Sequence, residues 1–144
     1  MSWRIRTSGV FAALALGLSV LCCAQAANAQ TSRELLDRED PQFCAHGDVW
    51  TRATGLVKDL LPTWKFTAAQ RDAIEVGFSG QTFDFEHPDR IQVICSATVT
   101  LSGAGGPRSL RTRFDAVPQG ATGFRLEATN ASDLLRFLMD LKTQ

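Results

Sequence analysis

The densest group of side chains that could perform chemistry lies at residues 83–89, Phe-Asp-Phe-Glu-His-Pro-Asp. It holds three carboxylates and one of the two histidines of the chain. If the segment is extended, Asp84 and Glu86 lie on one side, and His87 can serve as a metal ligand or a general base. The alternative is a solvated loop that its two phenylalanines attach to the core. We favour the loop and predict no metal site, because no regular spacing of oxygen ligands is present.

Cys44 and Cys95 are the two cysteines outside the first thirty residues, and a disulfide between them is the simplest prediction for an exported chain. Such a bridge closes a loop of about fifty residues, which the chain-entropy model values at about 4 kcal/mol. Two separate buried thiols are the alternative. A thiolate–imidazole pair or a metal site formed by Cys44 and His46 is less favoured, since a partner cysteine exists and no second closely spaced pair does.

Three further residues are candidates for binding. Trp64 follows Pro62 beyond the first predicted helix, where an exposed aromatic ring would contact a partner. Arg111 and Arg113 belong, with Arg108, to a short basic stripe that we interpret as the solvent face of a strand. The chain has 15 basic and 15 acidic residues, so its charge gives no reason to expect nucleic acid or an anionic membrane as a partner.

No cofactor motif and no catalytic residue is predicted. The glycines at 103, 105 and 106 follow a strand pattern but do not lead into a helix, which argues against a phosphate-binding loop. No serine lies in a nucleophile-elbow pattern. The chemistry-bearing residues therefore favour contact with a partner over catalysis.

Residues 1–29 have the pattern of a secretory signal peptide. Arg4 and Arg6 precede an apolar run at 10–21, and an Ala-x-Ala sequence ends at Ala29, where we expect cleavage. Twelve helical residues span roughly 18 Å, too short for a hydrocarbon core of ~30 Å. We therefore predict a periplasmic or secreted protein of bacterial type, without a transmembrane segment in its mature form.

The remaining chain begins with a polar leader at 30–42, which either forms a short helix or stays mobile. Residues 48–61 repeat apolar side chains on one helical face, with Asp48 as the expected cap and Pro62 as the stop. Thr67 and Gln70 have the spacing of a capping box. A second helix is expected to begin at a cap formed by Asn130 or Ser132, with its apolar stripe over residues 134–141.

Alternating apolar and polar residues predict four strands, at 74–78, 90–101, 110–116 and 124–128, with a connection at 80–89. One face of each strand is expected to be buried and the other solvated. For the last hairpin we predict a turn at 118–121, with Phe114 opposite Leu126 and Asp115 opposite Arg125. This register places opposite charges across the pair, whereas Phe114 opposite Phe124 would place like charges there.

This order of elements predicts an α+β fold. An N-terminal helix and a C-terminal helix pack on one face of a four-stranded antiparallel sheet, in a single domain at 43–144. The element order is similar, in architecture only, to cystatin-like and NTF2-like domains, and this similarity transfers no function.

The expected function is that of a small exported, non-enzymatic binding protein of the bacterial envelope. It would contact another envelope or extracellular protein, or a small apolar ligand. Two alternatives stay open. A small NTF2-like enzyme would hold Asp84, Glu86 or His87 in a deep cavity, and a structural subunit of an envelope assembly would order residues 30–40 on its partner.

Overall fold

The computed structural model describes residues 30–86, 92–103 and 105–142. The predicted signal peptide at 1–29 and His87 lie outside the described residues. The element order is α1 (Ser32–Asp37), a 3-10 helix (Pro41–Ala45), α2 (Gly47–Asp59), α3 (Ala68–Ala73), β1 (Glu75–Glu86), β2 (Gln92–Ser102), β3 (Arg108–Gln119), β4 (Gly123–Ala128) and α4 (Ala131–Met139). The fold is thus α+β, and among the described residues no helix has the length and apolar character needed to cross a bilayer.

The polar stretch after residue 30 forms a short helix, one of the two states that the sequence left open. Thr31 and Glu34 form a reciprocal capping box at the start of α1. Leu35 and Leu36 are buried in the core. The Arg33 guanidinium donates to the carbonyls of Gly120 and Gly123, at 2.9 and 2.7 Å. Two adjacent leucines and one arginine therefore attach this otherwise polar segment to the rest of the chain.

Helix α2 forms where the apolar spacing predicts it, although its cap differs. Val49, Ala53 and Val57 are buried along one face. His46, rather than Asp48, is the cap, because its Nδ1 accepts the Asp48 N–H at 3.3 Å. The predicted capping box of Thr67 and Gln70 opens α3.

The four strands form one antiparallel sheet in the order β1-β2-β3-β4. The prediction that the first strand ends near residue 78 and that 80–89 is a connection is wrong for residues 80–86. Strand β1 continues through a bulge between Ser79 and Thr82. Gly80 has φ +60°, which glycine adopts without steric cost. The inserted residue shifts the alternation, so that Phe83 pairs with Cys95.

The predicted register of the β3–β4 hairpin is also wrong. Phe114 lies opposite Ala128 and Asp115 opposite Glu127, two residues away from the predicted pairing. The inward residues still face inward residues, as the period of two requires. The turn falls at 120–122, where Gly120 has φ +61°, instead of at 118–121. The register is set by the geometry of the turn and by the hydrogen bond from Arg33 to the Gly120 carbonyl. The predicted charge pairs at the surface contribute only a few tenths of a kcal/mol and do not override them.

The helices contact the sheet through aromatic rings. The Trp50 ring of α2 lies 5.0 Å from Phe78 and 6.3 Å from Phe114, centroid to centroid. Phe43 of the 3-10 helix lies 5.1 Å from Phe124. Phe43, Phe114 and Phe124 are buried, so they form the centre of the core.

Cys44 and Cys95 form a disulfide, as the even cysteine count predicts. Their Cα atoms are 5.4 Å apart and 51 positions apart in the sequence. Both side chains are buried. The bridge joins the 3-10 helix that precedes α2 to β2, at the residue that pairs with Phe114 of β3.

Candidate functional site

The site with the clearest capacity for binding is the free edge of the first half of β3. Strand β4 pairs only with residues 114–119 of β3. In a strand, successive residues direct their backbone N–H and C=O groups to alternate edges. The Arg113 carbonyl accepts from Thr129 N at 2.9 Å on the β4 side, so Arg111 and Ser109 face the same side. Within the described ranges no strand pairs with residues 108–113 on that side.

The Asn130 side chain occupies the part of this edge nearest to β4. Its Oδ1 accepts from Thr112 Oγ1 at 2.9 Å and from Arg113 N at 3.3 Å. Its Nδ2 donates to the Arg111 carbonyl at 3.4 Å. Asn130 stands at the N-cap of α4 but makes no capping hydrogen bond with its side chain, which serves the sheet instead. The N–H and C=O of Ser109 and the N–H of Arg111 remain directed at the open edge.

Helix α4 forms the opposite wall. Leu134, Phe137 and Leu138 are buried, which holds the helix against the core. At its end, Arg108 Nη1 donates to the Asp140 carbonyl at 2.8 Å. The same guanidinium lies 5.7 Å from the centre of the Phe137 ring. Arg108 thus ties the start of β3 to the end of α4, while Asn130 ties the start of α4 to the middle of β3.

Between these two ties lies an open groove of about 300 Å³, which we call the β3–α4 groove. Five of its lining residues are charged, two are apolar and one is an amide: Arg108, Leu110, Arg111, Asn130, Asp133, Arg136, Phe137 and Asp140. Asp133, Arg136 and Asp140 are exposed along α4, and no ion pair joins them in the part of the chain that the structure describes. A strand edge beside charged helix residues can offer both backbone and side-chain partners to an extended ligand.

The predicted carboxylate cluster is not assembled among the described residues. Phe83 faces the same side as Cys95, so Asp84 faces the opposite side of the sheet. There its carboxylate accepts a short hydrogen bond from Ser96 Oγ. Glu86 ends β1, and His87 lies outside the described residues. The described residues contain no group of three or more His, Cys, Asp or Glu able to hold a metal ion.

The prediction that the outer face of the sheet is fully solvated is wrong at its centre. Ser96 is buried, although its position in the alternation predicts exposure to solvent, and Ile94 on the same face is buried too. Asp115, which pairs with Ile94, is buried as well. The face of the sheet that carries Asp84 is therefore packed at its centre.

The predicted arginines have partly structural positions. Arg111 Nη1 donates to the Gly80 carbonyl at 2.7 Å, and its Nη2 donates to Thr82 Oγ1 at 2.9 Å. This guanidinium therefore reaches across β2 and holds the bulge of β1, and Arg111 is also one of the residues that line the groove. Arg113 is half-buried, and its backbone N–H donates to Oδ1 of Asn130.

Trp64, predicted as a contact residue, is 78% exposed. Its neighbour Lys65 donates from Nζ to the carbonyl of Met139 in a short hydrogen bond. Met139 and Leu135 are the other exposed large apolar residues of the described chain. Trp64 does not line the β3–α4 groove.

The groove residues of α4 are not predicted as a site by their spacing in the sequence. The sequence predicts Asn130 only as a helix cap, and it predicts no role for Arg136. The spacing of Asp133, Arg136 and Asp140 is visible in the sequence, but it becomes informative only once the neighbouring strand edge is known to be open.

No protein-family model, no curated protein and no solved structure matches this chain. The chemistry of the groove therefore has to be read from its own backbone groups and charges.

Proposed function

We propose that this chain is a small exported protein that binds other proteins by adding an extended peptide segment to the open edge of β3. The observation that carries the proposal is the set of backbone groups on Ser109 and Arg111 that face the open edge of β3, beside the β3–α4 groove. Strand addition to an exposed sheet edge is a recurring mode of peptide recognition, in which main-chain hydrogen bonds supply affinity and adjacent side chains supply specificity.

The walls of the groove support this mode. Asn130 and Arg108 hold helix and strand together at the two ends, so a peptide would meet a pre-formed site. A pre-formed site reduces the ordering cost of binding. Each backbone hydrogen bond contributes about 0.5–1.5 kcal/mol net. A few such hydrogen bonds, together with contacts to the charged residues of α4, should bind a peptide segment with modest affinity.

Export is part of the proposal. The pattern of residues 1–29 is that of a cleaved signal peptide. A buried disulfide between Cys44 and Cys95 suits an oxidising compartment, either the periplasm or the extracellular space. The partner would then be another envelope or extracellular protein.

We also propose that α2 and α4 cover the same face of the sheet, similar in element order alone to cystatin-like and NTF2-like domains. The contact of Trp50 with Phe78 supports the placement of α2. The contact of Arg108 with Phe137 supports that of α4, because Arg108 pairs with the inward-facing Leu101.

The other candidate functions have less support. The groove is lined mainly by charged residues, which disfavours a small apolar ligand. The carboxylate of Asp84 lies on the face away from the aromatic core, whereas an NTF2-like enzyme would need it inside. Leu35 and Leu36 of α1 are buried in the core of the chain itself. A structural subunit would instead order this segment on its partner.

The test uses heptapeptides selected from a random phage-displayed library on the purified, disulfide-bonded protein. Ser109→Pro removes the N–H that faces the open edge and spares the β2 side of the strand. Its matched control is Ser109→Ala, which keeps the N–H; both variants lose the hydrogen bond between Ser109 Oγ and Thr100 Oγ1.

We expect Ser109→Pro to weaken the affinity of the selected peptides at least tenfold in calorimetric titrations, and Ser109→Ala to change it less than about twofold. Circular dichroism checks that both variants are folded. In the wild-type protein, the amide resonances of Ser109 and Arg111 should shift most on titration. Selected peptides that bind Ser109→Pro as tightly as wild type would overturn the proposal.

A further inference from the structure

We infer that the β3–α4 groove selects a peptide in which one acidic residue lies between two basic residues at alternate positions, a basic–x–acidic–x–basic pattern. This inference rests on the proposed function, since it assumes that the ligand is an extended strand along β3. It names the chemical class of the segment that the groove recognises.

The selecting charges lie in one line along α4 and its C-cap residue, Asp140. Asp133, Arg136 and Asp140 are separated by three and four positions, so they share one side of the helix. At 1.5 Å per residue, they are about 4.5 and 6 Å apart along the helix axis. All three are exposed and line the groove. The wall therefore presents the sequence negative, positive, negative to a ligand.

An extended peptide has a matching period. Alternate side chains point to the same side and are about 6.8 Å apart. Three alternate side chains on the α4 side then face Asp133, Arg136 and Asp140 in turn, and long flexible side chains absorb the small difference in spacing. Opposite charges at all three positions give basic, acidic and basic residues.

Arg108 and the apolar lining residues shape one end and the floor of the groove. The Arg108 guanidinium lies at that end, where it donates to the Asp140 carbonyl and contacts the Phe137 ring. Phe137 and the half-buried Leu110 provide an apolar floor on which the methylene chains of lysine or arginine can lie. The charge pattern is the same in both chain directions, so it holds for parallel and antiparallel addition.

The experiment compares three capped heptapeptides by fluorescence polarisation at low ionic strength. The first is Thr-Lys-Val-Glu-Val-Lys-Thr, the second has the charges reversed, Thr-Glu-Val-Lys-Val-Glu-Thr, and the third has glutamine at the three charged positions. Exposed ion pairs are individually weak, so three together should favour the first peptide about tenfold over the second. High salt should reduce this preference.

A charge-reversal variant assigns the preference to one residue. Arg136→Glu should switch the preference from Thr-Lys-Val-Glu-Val-Lys-Thr to Thr-Lys-Val-Lys-Val-Lys-Thr. The matched control is Arg38→Glu, which changes the net charge equally at an exposed position outside the groove. The control should leave the preference unchanged.

The outcomes separate this inference from the proposed function. If all three heptapeptides bind equally and Ser109→Pro weakens them all, strand addition stands and the charge pattern is wrong. If no heptapeptide binds at millimolar concentration, or if binding ignores Ser109→Pro, both are overturned. A preference that Arg38→Glu alters as much as Arg136→Glu reflects overall charge and also overturns the inference.

Discussion

The two halves of strand β3 differ in whether β4 pairs with them. Residues 114–119 pair with β4, residues 114–116 pair with β2 as well, and Phe114, Asp115 and Ala116 are buried. Residues 108–113 have β2 on one side and the open groove on the other, and Arg108, Ser109 and Arg111 are exposed. We call these the closed half and the open half.

The difference comes from the length of β4. This strand has six residues against the twelve of β3, and the chain then turns into α4 through Asn130. The closed half therefore contributes to the core, while the open half keeps backbone groups that can pair with another chain. One strand thus combines a buried part with an open edge, and the two lie at different residues.

The largest test of this contrast is Phe114→Ala in the closed half. Phe114 is fully buried and its ring lies 6.0 Å from Phe78. We expect the free energy of unfolding to fall by about 3–5 kcal/mol, because a buried aromatic ring leaves a cavity. Leu110→Ala, at a half-buried position of the open half, should cost only about 1 kcal/mol. Urea denaturation measures both, and equal losses would remove the distinction between the halves.

The disulfide gives the next largest effect, since it is anchored beside the closed half. Replacing Cys44 and Cys95 together by alanine should lower the free energy of unfolding by about 2–4 kcal/mol, through the entropy of the unfolded chain. The bridge encloses neither β3 nor α4. Heptapeptide affinity should therefore change little under conditions where the variant stays folded. An unchanged urea midpoint would contradict the stabilising role of the bridge.

The smallest of the three effects is expected where the two halves meet. Asn130→Ala leaves the buried Thr112 hydroxyl and the Arg113 N–H without the amide oxygen that accepts from them. We expect a loss of about 1–2 kcal/mol in the free energy of unfolding, with faster amide exchange at Arg113. Asn130→Asp keeps an acceptor oxygen and serves as the control, with a smaller loss. Identical behaviour of the two variants would show that the oxygen does not brace the strand.

The sequence was informative where one local pattern decides the structure. The apolar spacing at 49, 53 and 57 predicted α2, and Thr67 with Gln70 predicted the start of α3. The even cysteine pair predicted the disulfide. In each case the deciding residues are close in sequence or few in number, so little else competes with them.

The sequence was misleading where backbone conformation decides between patterns that are locally similar. The bulge at Gly80 shifts the alternation of β1 by one residue, and the turn at Gly120 shifts the last hairpin by two. Charge pairing at the surface is too weak to fix such a register. The groove depends on that register, because it exists only where β4 has already ended.

The two ends of the open edge limit how many main-chain hydrogen bonds a neighbouring strand could form. Pro107 has no N–H, and Asn130 already occupies the Arg111 carbonyl. Only a few main-chain groups are left between them, too few to template an endless ladder of identical chains. An edge this short can therefore accept one extended segment without a tendency to form fibres, and the proposed complexes should exchange quickly.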